Sequence, residues 1–354
     1  MKLIHCGDIH LDSRMESNLS REKARERNAE ICATFTRMLR YGLDHGVKVL
    51  MIAGDLFDTS RASLQTVQFV LDRIRDAKGM DVLYLRGNHD EGDPFEGMDL
   101  PENLKFFGPE WNYYRYDDLI IAGVEPENWE SFYEELKLNS EDTNLVMLHG
   151  QTSTKPGREL ICLPKLRGKS IRYLALGHIH SYQQDALDLE GQWCYCGCLE
   201  GRGFDELGEK GFVLLDAENG RVKSEFVPFS GRTMEEVKVD ITGLTTVTQI
   251  LSNLERAGSA VPGSSLVKFT LTGTHTLETQ RDFKFLEKML ESRYYFVKIK
   301  DESRLEIARE DYEHDVSLKG EFIRMVLASD KPEEEKEQII RCGIQALLGQ
   351  EVAL

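Results

Sequence analysis

An α/β fold is predicted for the N-terminal part of this 354-residue chain: two mixed β-sheets packed face to face and flanked by helices. Three observations predict it. From Met1 to about Phe229, short apolar runs of β type alternate with segments whose apolar residues recur at helical spacing. Some β runs follow each other with no helix between them, as Trp193–Cys196 and Phe212–Leu215 do, so an antiparallel pairing within a mixed sheet is expected. Beyond Phe229-Ser230-Gly231-Arg232 the pattern restarts as a small α+β unit and then as helices. The expected domains are residues 1–230, a capping α+β domain over 231–315, and C-terminal helices over 316–354.

Taken in order, the first strand is Lys2-Leu3-Ile4, and the next is the run from Val47 to Ala53. Between them, Ser20 to Leu43 carries Ala29, Ala33, Phe35, Met38 and Leu39 at helical spacing after a charged opening. Leu64 to Ala77 repeats that pattern with Val67, Phe69, Val70, Leu71 and Ile74. Strands are then expected at Val82–Leu85, Leu119–Gly123, Leu145–His149, Tyr173–Gly177, Gln192–Cys196 and Gly211–Asp216. The capping unit reads strand Val237–Ile241, helix Val247–Ala257, strand Leu266–Thr272, helix Arg281–Glu291, strand Tyr295–Lys300. Two amphipathic helices close the chain, Leu318–Ala328 and Glu333–Leu348, split by Asp330-Lys331-Pro332. The apolar stripe of the last one (Ile339, Ile340, Ile344, Leu347, Leu348) either packs on its own domain or fits a partner's groove.

Composition narrows the compartment and the partners. Hydrophobic residues at 41% and charged residues at 30% describe an ordinary globular chain. It has no apolar run long enough to span a bilayer, and Met1 leads straight into a strand rather than a secretory leader, so a cytoplasmic location is expected. Seven cysteines without a C-x-x-C spacing argue against a disulfide framework. Cys194, Cys196 and Cys198 alternate as strand residues and read as small buried groups rather than as a zinc site. The net charge of −17 opposes unaided binding to a polyanion, because phosphate neutralisation dominates such affinity.

Chemistry collects where the strands end. Gly7-Asp8-Ile9-His10, Gly54-Asp55-Leu56-Phe57-Asp58, Gly87-Asn88-His89-Asp90, His149-Gly150 and Gly177-His178-Ile179-His180 each follow an apolar run. Open α/β sheets place their ligands at such strand ends. Residues two apart on a strand point the same way, so Asp8 with His10, and His178 with His180, are expected to face the site together. The inventory suits two divalent ions: Asp8, His10 and His180 for the first, Asn88, His149 and His178 for the second, and Asp55 as the bridge. Mixed carboxylate, imidazole and amide donors without sulfur favour Mn²⁺, with Mg²⁺, Fe²⁺ or Zn²⁺ as alternatives. Ions about 4 Å apart would make hydroxide available from a bridging water and clamp phosphate oxygens, which points to phosphoester hydrolysis. His89 faces away from Asn88 on an extended chain and is expected to reach over the substrate phosphate, where it would stabilise the developing charge or protonate the leaving oxygen, oriented by Asp58. Asp90 is the weaker candidate for that orienting role and otherwise caps the loop.

These stretches, from Asp8 to His180 and in this order, resemble the signature of the calcineurin-like metallophosphoesterases. The openings Ile4-His5-Cys6-Gly7-Asp8-Ile9-His10-Leu11-Asp12 and Ala53-Gly54-Asp55-Leu56-Phe57-Asp58-Thr59 are similar to the SbcD-type branch, nuclease subunits of double-strand-break repair complexes. The resemblance implies the four-layer metallophosphoesterase fold, manganese-dependent exonuclease and endonuclease activity on DNA, an SbcC-type SMC-like ATPase as partner, and a homodimer. Two departures stand out. Some members of that branch carry histidine where Asp58 stands, and the segment Cys198 to Glu206 is unlike their loop; there Arg202 either contacts a substrate phosphate or belongs to a flexible turn. Arg14, Arg61, Lys155 and Arg158 are the basic candidates for a DNA groove. Two rival readings remain: a phosphodiesterase or phosphatase for small nucleotides or phosphoproteins, and a non-catalytic metal-bearing scaffold for an ATPase. A closed pocket would favour the first, and loss of either donor set the second.

Overall fold

The structure, a computed structural model, describes residues 1–15, 19–58, 62–90, 92–276, 279–306 and 312–347. The N-terminal half runs β1 (Lys2–Cys6), α1 (Arg21–Asp44), β2 (Val49–Ala53), α2 (Leu64–Asp76), β3 (Asp81–Leu85), β4 (Leu104–Phe106), β5 (Asn112–Tyr116), β6 (Leu119–Gly123), α3 (Phe132–Glu135) and β7 (Thr143–His149). It continues through β8 (Gln151–Ser153), β9 (Leu160–Cys162), α4 (Leu163–Leu166), β10 (Ile171–Gly177), β11 (Gln183–Ala186), β12 (Gln192–Tyr195), β13 (Gly211–Glu218) and β14 (Arg221–Pro228). Then follow β15 (Met234–Asp240), α5 (Val247–Ala257), β16 (Leu266–Thr272), β17 (Thr274–His275), α6 (Phe283–Leu290), β18 (Phe296–Asp301), β19 (Arg304–Leu305), α7 (Leu318–Leu327) and α8 (Glu333–Leu347). The chain divides into two compact units, Met1–Met234 and Glu235–Leu354. No helix among the described residues is long and apolar enough to cross a membrane.

Two six-stranded mixed sheets form the first unit, ordered β14-β13-β1-β2-β3-β4 and β11-β12-β10-β7-β6-β5. One apolar cluster joins their facing sides, taking Val49, Met51 and Leu83 from the first sheet and Leu145, Met147 and Ala175 from the second. β2 is buried along its whole length, as a central parallel strand covered on both faces must be. α1 covers the other face of the first sheet. Its Ser20 cap accepts from the Lys23 amide, and Ile31, Phe35, Met38 and Leu39 turn inward. Burying each of these contributes roughly 1.5–3 kcal/mol before chain entropy is counted, so packing rather than helix propensity holds the element. α3 and α4 lie with the outer cluster of the second sheet, around Phe132, Leu166 and Leu174.

Several expected elements differ. β12 and β13 are not antiparallel partners: β12 pairs parallel with β10, while β13 pairs antiparallel with β1 in the other sheet. Consecutive apolar runs carry no record of which sheet each one enters. β4, β8 and β9, of three residues each, have too few positions to show a period. Cys194 and Cys196 are buried between the sheets, and no described cysteine is paired. In the second unit, β15-β16-β18 form a sheet whose cluster includes Ile250, Leu254, Leu286 and Leu290 of α5 and α6. Ile340 and Ile344 of α8 are buried with Ile323 and Val326 of α7, Ile339 is partly buried, Leu347 is 47% exposed, and Leu348 lies outside the described residues.

Candidate metal centre

β1, β2, β3, β7 and β10 are parallel neighbours within their own sheets, so their C-terminal ends share a rim. The loops after β1 and β2 are tied together by Asp8 N–H to Gly54 O (3.0 Å), His10 N–H to Asp55 O (3.0 Å) and Asp58 N–H to Leu11 O (3.0 Å). These bonds bring Asp8, His10, Asp55 and Asp58 side by side. Strand alternation does not aim them: Asp8 and His10 lie past the end of β1, and His178 and His180 past β10. Asp8 (φ 49°), His10 (φ 50°), Asp55 (φ 50°) and His178 (φ 104°) instead adopt positive φ, which non-glycine residues rarely take and which costs of order 1–3 kcal/mol each. Strain of this kind is retained where it positions functional groups. Two glycines make the crowding feasible. A Cβ at Gly54, itself at φ +93°, would meet the His149 ring at 2.1 Å, and one at Gly87 would meet Asp55 Oδ1 at 2.1 Å.

Among the described residues, donors converge in three overlapping groups: Asp8, His10 and His180; Asp8, Asp55 and His149; and His10, Asp58 and His89. Nε2 of His10 and of His180 are 3.1 Å apart. Asn88 Oδ1 lies 2.9 Å from His149 Nε2 and 3.2 Å from His178 Nδ1. Asp55 Oδ2 stands between the groups, 3.8 Å from His10 Nε2 and 3.5 Å from His149 Nε2. Two nitrogens each about 2.1 Å from one ion, at right angles, sit about 3 Å apart, so the His10–His180 separation fits a shared cation. The electrostatics also call for one. Burial, with Asp55 beside it, pushes the Asp8 carboxyl well above the ordinary carboxylate range, although two bonds from His178 N–H (3.0 Å each) oppose the shift. Burial likewise lowers His10, to about 4, and His149 and His178, so these imidazoles stay neutral and available as ligands.

A supporting layer fixes the imidazoles. His149 Nδ1 donates to Ala53 O (3.0 Å) and His180 Nδ1 to Glu206 Oε1 (2.7 Å), which leaves each Nε2 lone pair facing the site. His10 Nδ1 stands 3.2 Å from Asp58 Oδ1. The expected pairing of the Asp58 carboxylate with His89 is therefore not found. His89 Nδ1 meets the Asp58 backbone oxygen at 3.0 Å, while the carboxylate faces His10 and Arg202, because the Leu11 contact holds Asp58 against the β1 loop. His89 is exposed, and its amide donates to Asp55 Oδ1 (2.9 Å). Asp90 caps the loop through the amides of Gly87 (3.0 Å) and Phe57 (3.0 Å); burial raises its carboxyl to about 6.

Arg202 also departs from expectation. It is neither on a flexible turn nor free for substrate: its guanidinium joins Asp58 Oδ1 (2.5 Å) to Glu206 Oε1 (2.8 Å). Burial works against ionised Glu206, but His180 and Arg202 hold its pKa below the ordinary value. The segment is anchored by buried Glu200, which accepts from Thr34 Oγ1 (2.6 Å), Arg27 Nη2 (3.0 Å) and Gly231 N–H (2.6 Å). Glu206 and this anchor were not anticipated from sequence; the only local trace is the four-residue spacing of Arg202 and Glu206. Among the basic groove candidates, Arg14, Lys155 and Arg158 are exposed, and Arg61 lies outside the described residues.

Two predictions follow from this layer. Glu206→Gln should lower Mn²⁺ affinity about 10- to 100-fold in calorimetric titration with the fold retained, because His180 loses its orienting carboxylate. In the metal-free protein, Asp8 holds its proton to higher pH than it does in the unfolded chain. It therefore contributes stability at low pH that is lost as pH rises through its folded value. The melting temperature of Asp8→Asn should consequently exceed that of the wild type by a margin that grows with pH when both are melted in chelator. The buried histidines act with the opposite sign, but in both proteins. Mn²⁺ should erase the margin.

Clustered His and Asp donors, with Asn88 beside them, at the ends of strands are the class of site that this geometry defines. The chain belongs to the calcineurin-like phosphoesterase family, which it matches over residues 1–182; metallophosphoesterases of this family bind divalent metals, and the chain carries the His and Asp clusters for it. It is similar to the uncharacterized metallophosphoesterase YhaO of Bacillus subtilis, 28% identical over 302 residues, 77% of this chain and 72% of that one. It is also similar to the DNA double-strand break repair protein Mre11 of Methanopyrus kandleri (26% identical, 64% of this chain, 56% of that one). The corresponding Mre11 of Sulfolobus acidocaldarius is 29% identical over 53% of this chain and 52% of its own. The chain thus spans about half the length of these two Mre11 proteins. A dimetal phosphatase structure from Danio rerio is matched over 65% of this chain and 99% of that one at 12% identity, with a TM-score of 0.40.

Proposed function

We propose that the protein is a metal-dependent DNA nuclease that hydrolyses phosphodiester bonds. The observation that carries this reading is the two donor groups that share Asp8, with the Asp55 carboxylate facing His10 of one and His149 of the other and exposed His89 hinged on that carboxylate. The donors fit two divalent ions, with Mn²⁺ the expected occupant; when bound, these supply an activated water and charge neutralisation for a phosphate. The chain's own residues do the rest. Asp8, His10 and His180 hold one side, and Asn88, His149 and His178 the other. His89, with Nδ1 satisfied by the Asp58 carbonyl, keeps Nε2 for a phosphate oxygen or the leaving oxygen. The Mre11 relatives support DNA as the polymer and repair as the process.

On this proposal residues 1–230 form the nuclease domain, residues 231–315 cap the DNA, and residues 316–354 dock an SbcC-type ATPase. The net charge of −17 supports a partner that supplies much of the DNA grip. Ile340 and Ile344 are already covered by α7, so docking would fall to apolar groups left outside, such as Met325 (67% exposed) and Leu347. The same charge keeps a phosphodiesterase for small nucleotides as the second reading. Mn²⁺-dependent cleavage of an end-labelled duplex tests the choice: cleavage is expected, and turnover of small diesters alone would favour the second reading.

A further inference from the structure

We infer that the pocket beside Asn88 and His149 binds the unstacked base of a chain-terminal nucleoside, with Trp129 as the stacking wall and an acidic rim that turns away any further phosphate. This rests on the nuclease reading and adds which part of the strand must end there. The pocket has a volume of about 900 Å³, ample for one nucleoside, and it is lined by His149 of the second donor group and by Asn88, whose Oδ1 lies 2.9 Å from His149 Nε2. A group linked to a phosphate at those donors through one ester oxygen is therefore within reach of it.

The wall is built rather than incidental. Trp129 is half-buried against the outer cluster of the second sheet, and its ring meets Phe132 edge-on at 5.9 Å. A Cβ at Gly150, the residue after His149, would come 3.3 Å from the indole Cη2, so the ring abuts the end of the ligand-bearing strand. Base–aromatic stacking tolerates any base and is a main source of affinity for unpaired nucleotides.

The rim has the opposite sign to a phosphate groove. Glu125, Glu127, Glu130 and Glu159 line it together with Arg86 and Arg158. Arg86 is already engaged, with Nε on Glu125 Oε2 (2.7 Å) and Nη1 on Gly92 O (2.9 Å), and Arg158 stands 3.5 Å from Glu159. A strand continuing through the pocket would bring its next phosphate against these carboxylates, whereas a base carries N–H donors that can face them and no negative charge. The occupant that fits is a terminal nucleoside without a further phosphate.

The test uses the full chain with Mn²⁺ and single-stranded oligonucleotides labelled at the far end. The near-terminal residue is normal, abasic, or extended by a terminal phosphate, and each end of the strand is examined. At one end the wild type is expected to release the base-bearing unit about 10- to 100-fold faster than the abasic one, the order of one base–aromatic stack, and to slow when the phosphate is added. Trp129→Ala should lose that preference, slowing about 10- to 100-fold more on the base-bearing strand than on the abasic one, and Trp129→Phe should keep most of it. Equal rates on normal and abasic ends would overturn the pocket assignment and leave the nuclease reading standing. An equal loss on both strands in Trp129→Ala would reduce Trp129 to a structural role and also overturn it. No cleavage of any strand would remove the nuclease reading and this proposal together.

Discussion

Asp55→Asn is expected to lower phosphodiester hydrolysis by at least about a thousandfold and to weaken both metal sites at once. Asp55 is the residue whose carboxylate lies within 3.8 Å of a donor nitrogen from each group, and its other oxygen accepts the His89 amide at 2.9 Å. The amide replacement keeps the volume but removes the charge that would face both cations, and it can present an N–H where an acceptor is needed. Removing one electrostatic contributor to a dry site already costs on the order of 10²–10³ in rate, and a carboxylate that faces donors of both groups should cost more. Titration with Mn²⁺ and the hydrolysis rate should fall together. A variant that binds two ions with normal affinity would show that the bridge lies elsewhere.

The second large effect is expected at His89. His89→Leu should keep Mn²⁺ affinity within a few-fold of wild type and lose roughly 10²–10⁴ in kcat, the range of a single general acid or base. The reason is positional: His89 contributes its backbone amide, not its ring, to the Asp55 carboxylate, so the ligand set survives the substitution. Its ring stands 4.9 Å from the His10 ring, edge to face, and is otherwise exposed, where it can reach a substrate. The Asp58 carbonyl at 3.0 Å holds Nδ1. Because that anchor is main chain, Asp58→Asn should affect His10 and Arg202 more than His89.

Much of this was legible in the sequence because it depends on residue type at the end of an apolar run. Asp8, Asp55, Asn88, His149 and His178 could be read as candidates from position alone, and the two-sheet architecture followed from the alternation of short apolar runs with amphipathic segments. What could not be read depends on contacts between distant segments. The Asp58 carboxylate turns toward His10 because a backbone bond to Leu11 places it there. Glu206 supports His180, and Arg202 is claimed by two carboxylates, because Glu200 seats their segment on α1 through Arg27 and Thr34. β13 joins β1 rather than β12 through a choice of sheet that no local period records. β14, by contrast, alternates Val222, Ser224 and Phe226 on one face and was within reach of a period-two reading.

Hydrolysis of a labelled DNA duplex and of bis-p-nitrophenyl phosphate with Mn²⁺, in wild type, His89→Leu and Asp55→Asn, tests the central claim most directly. Cleavage of both substrates by the wild type and loss of both in each variant is the predicted result. Wild-type levels of hydrolysis in either variant, or a wild type that cleaves neither substrate, would contradict the account.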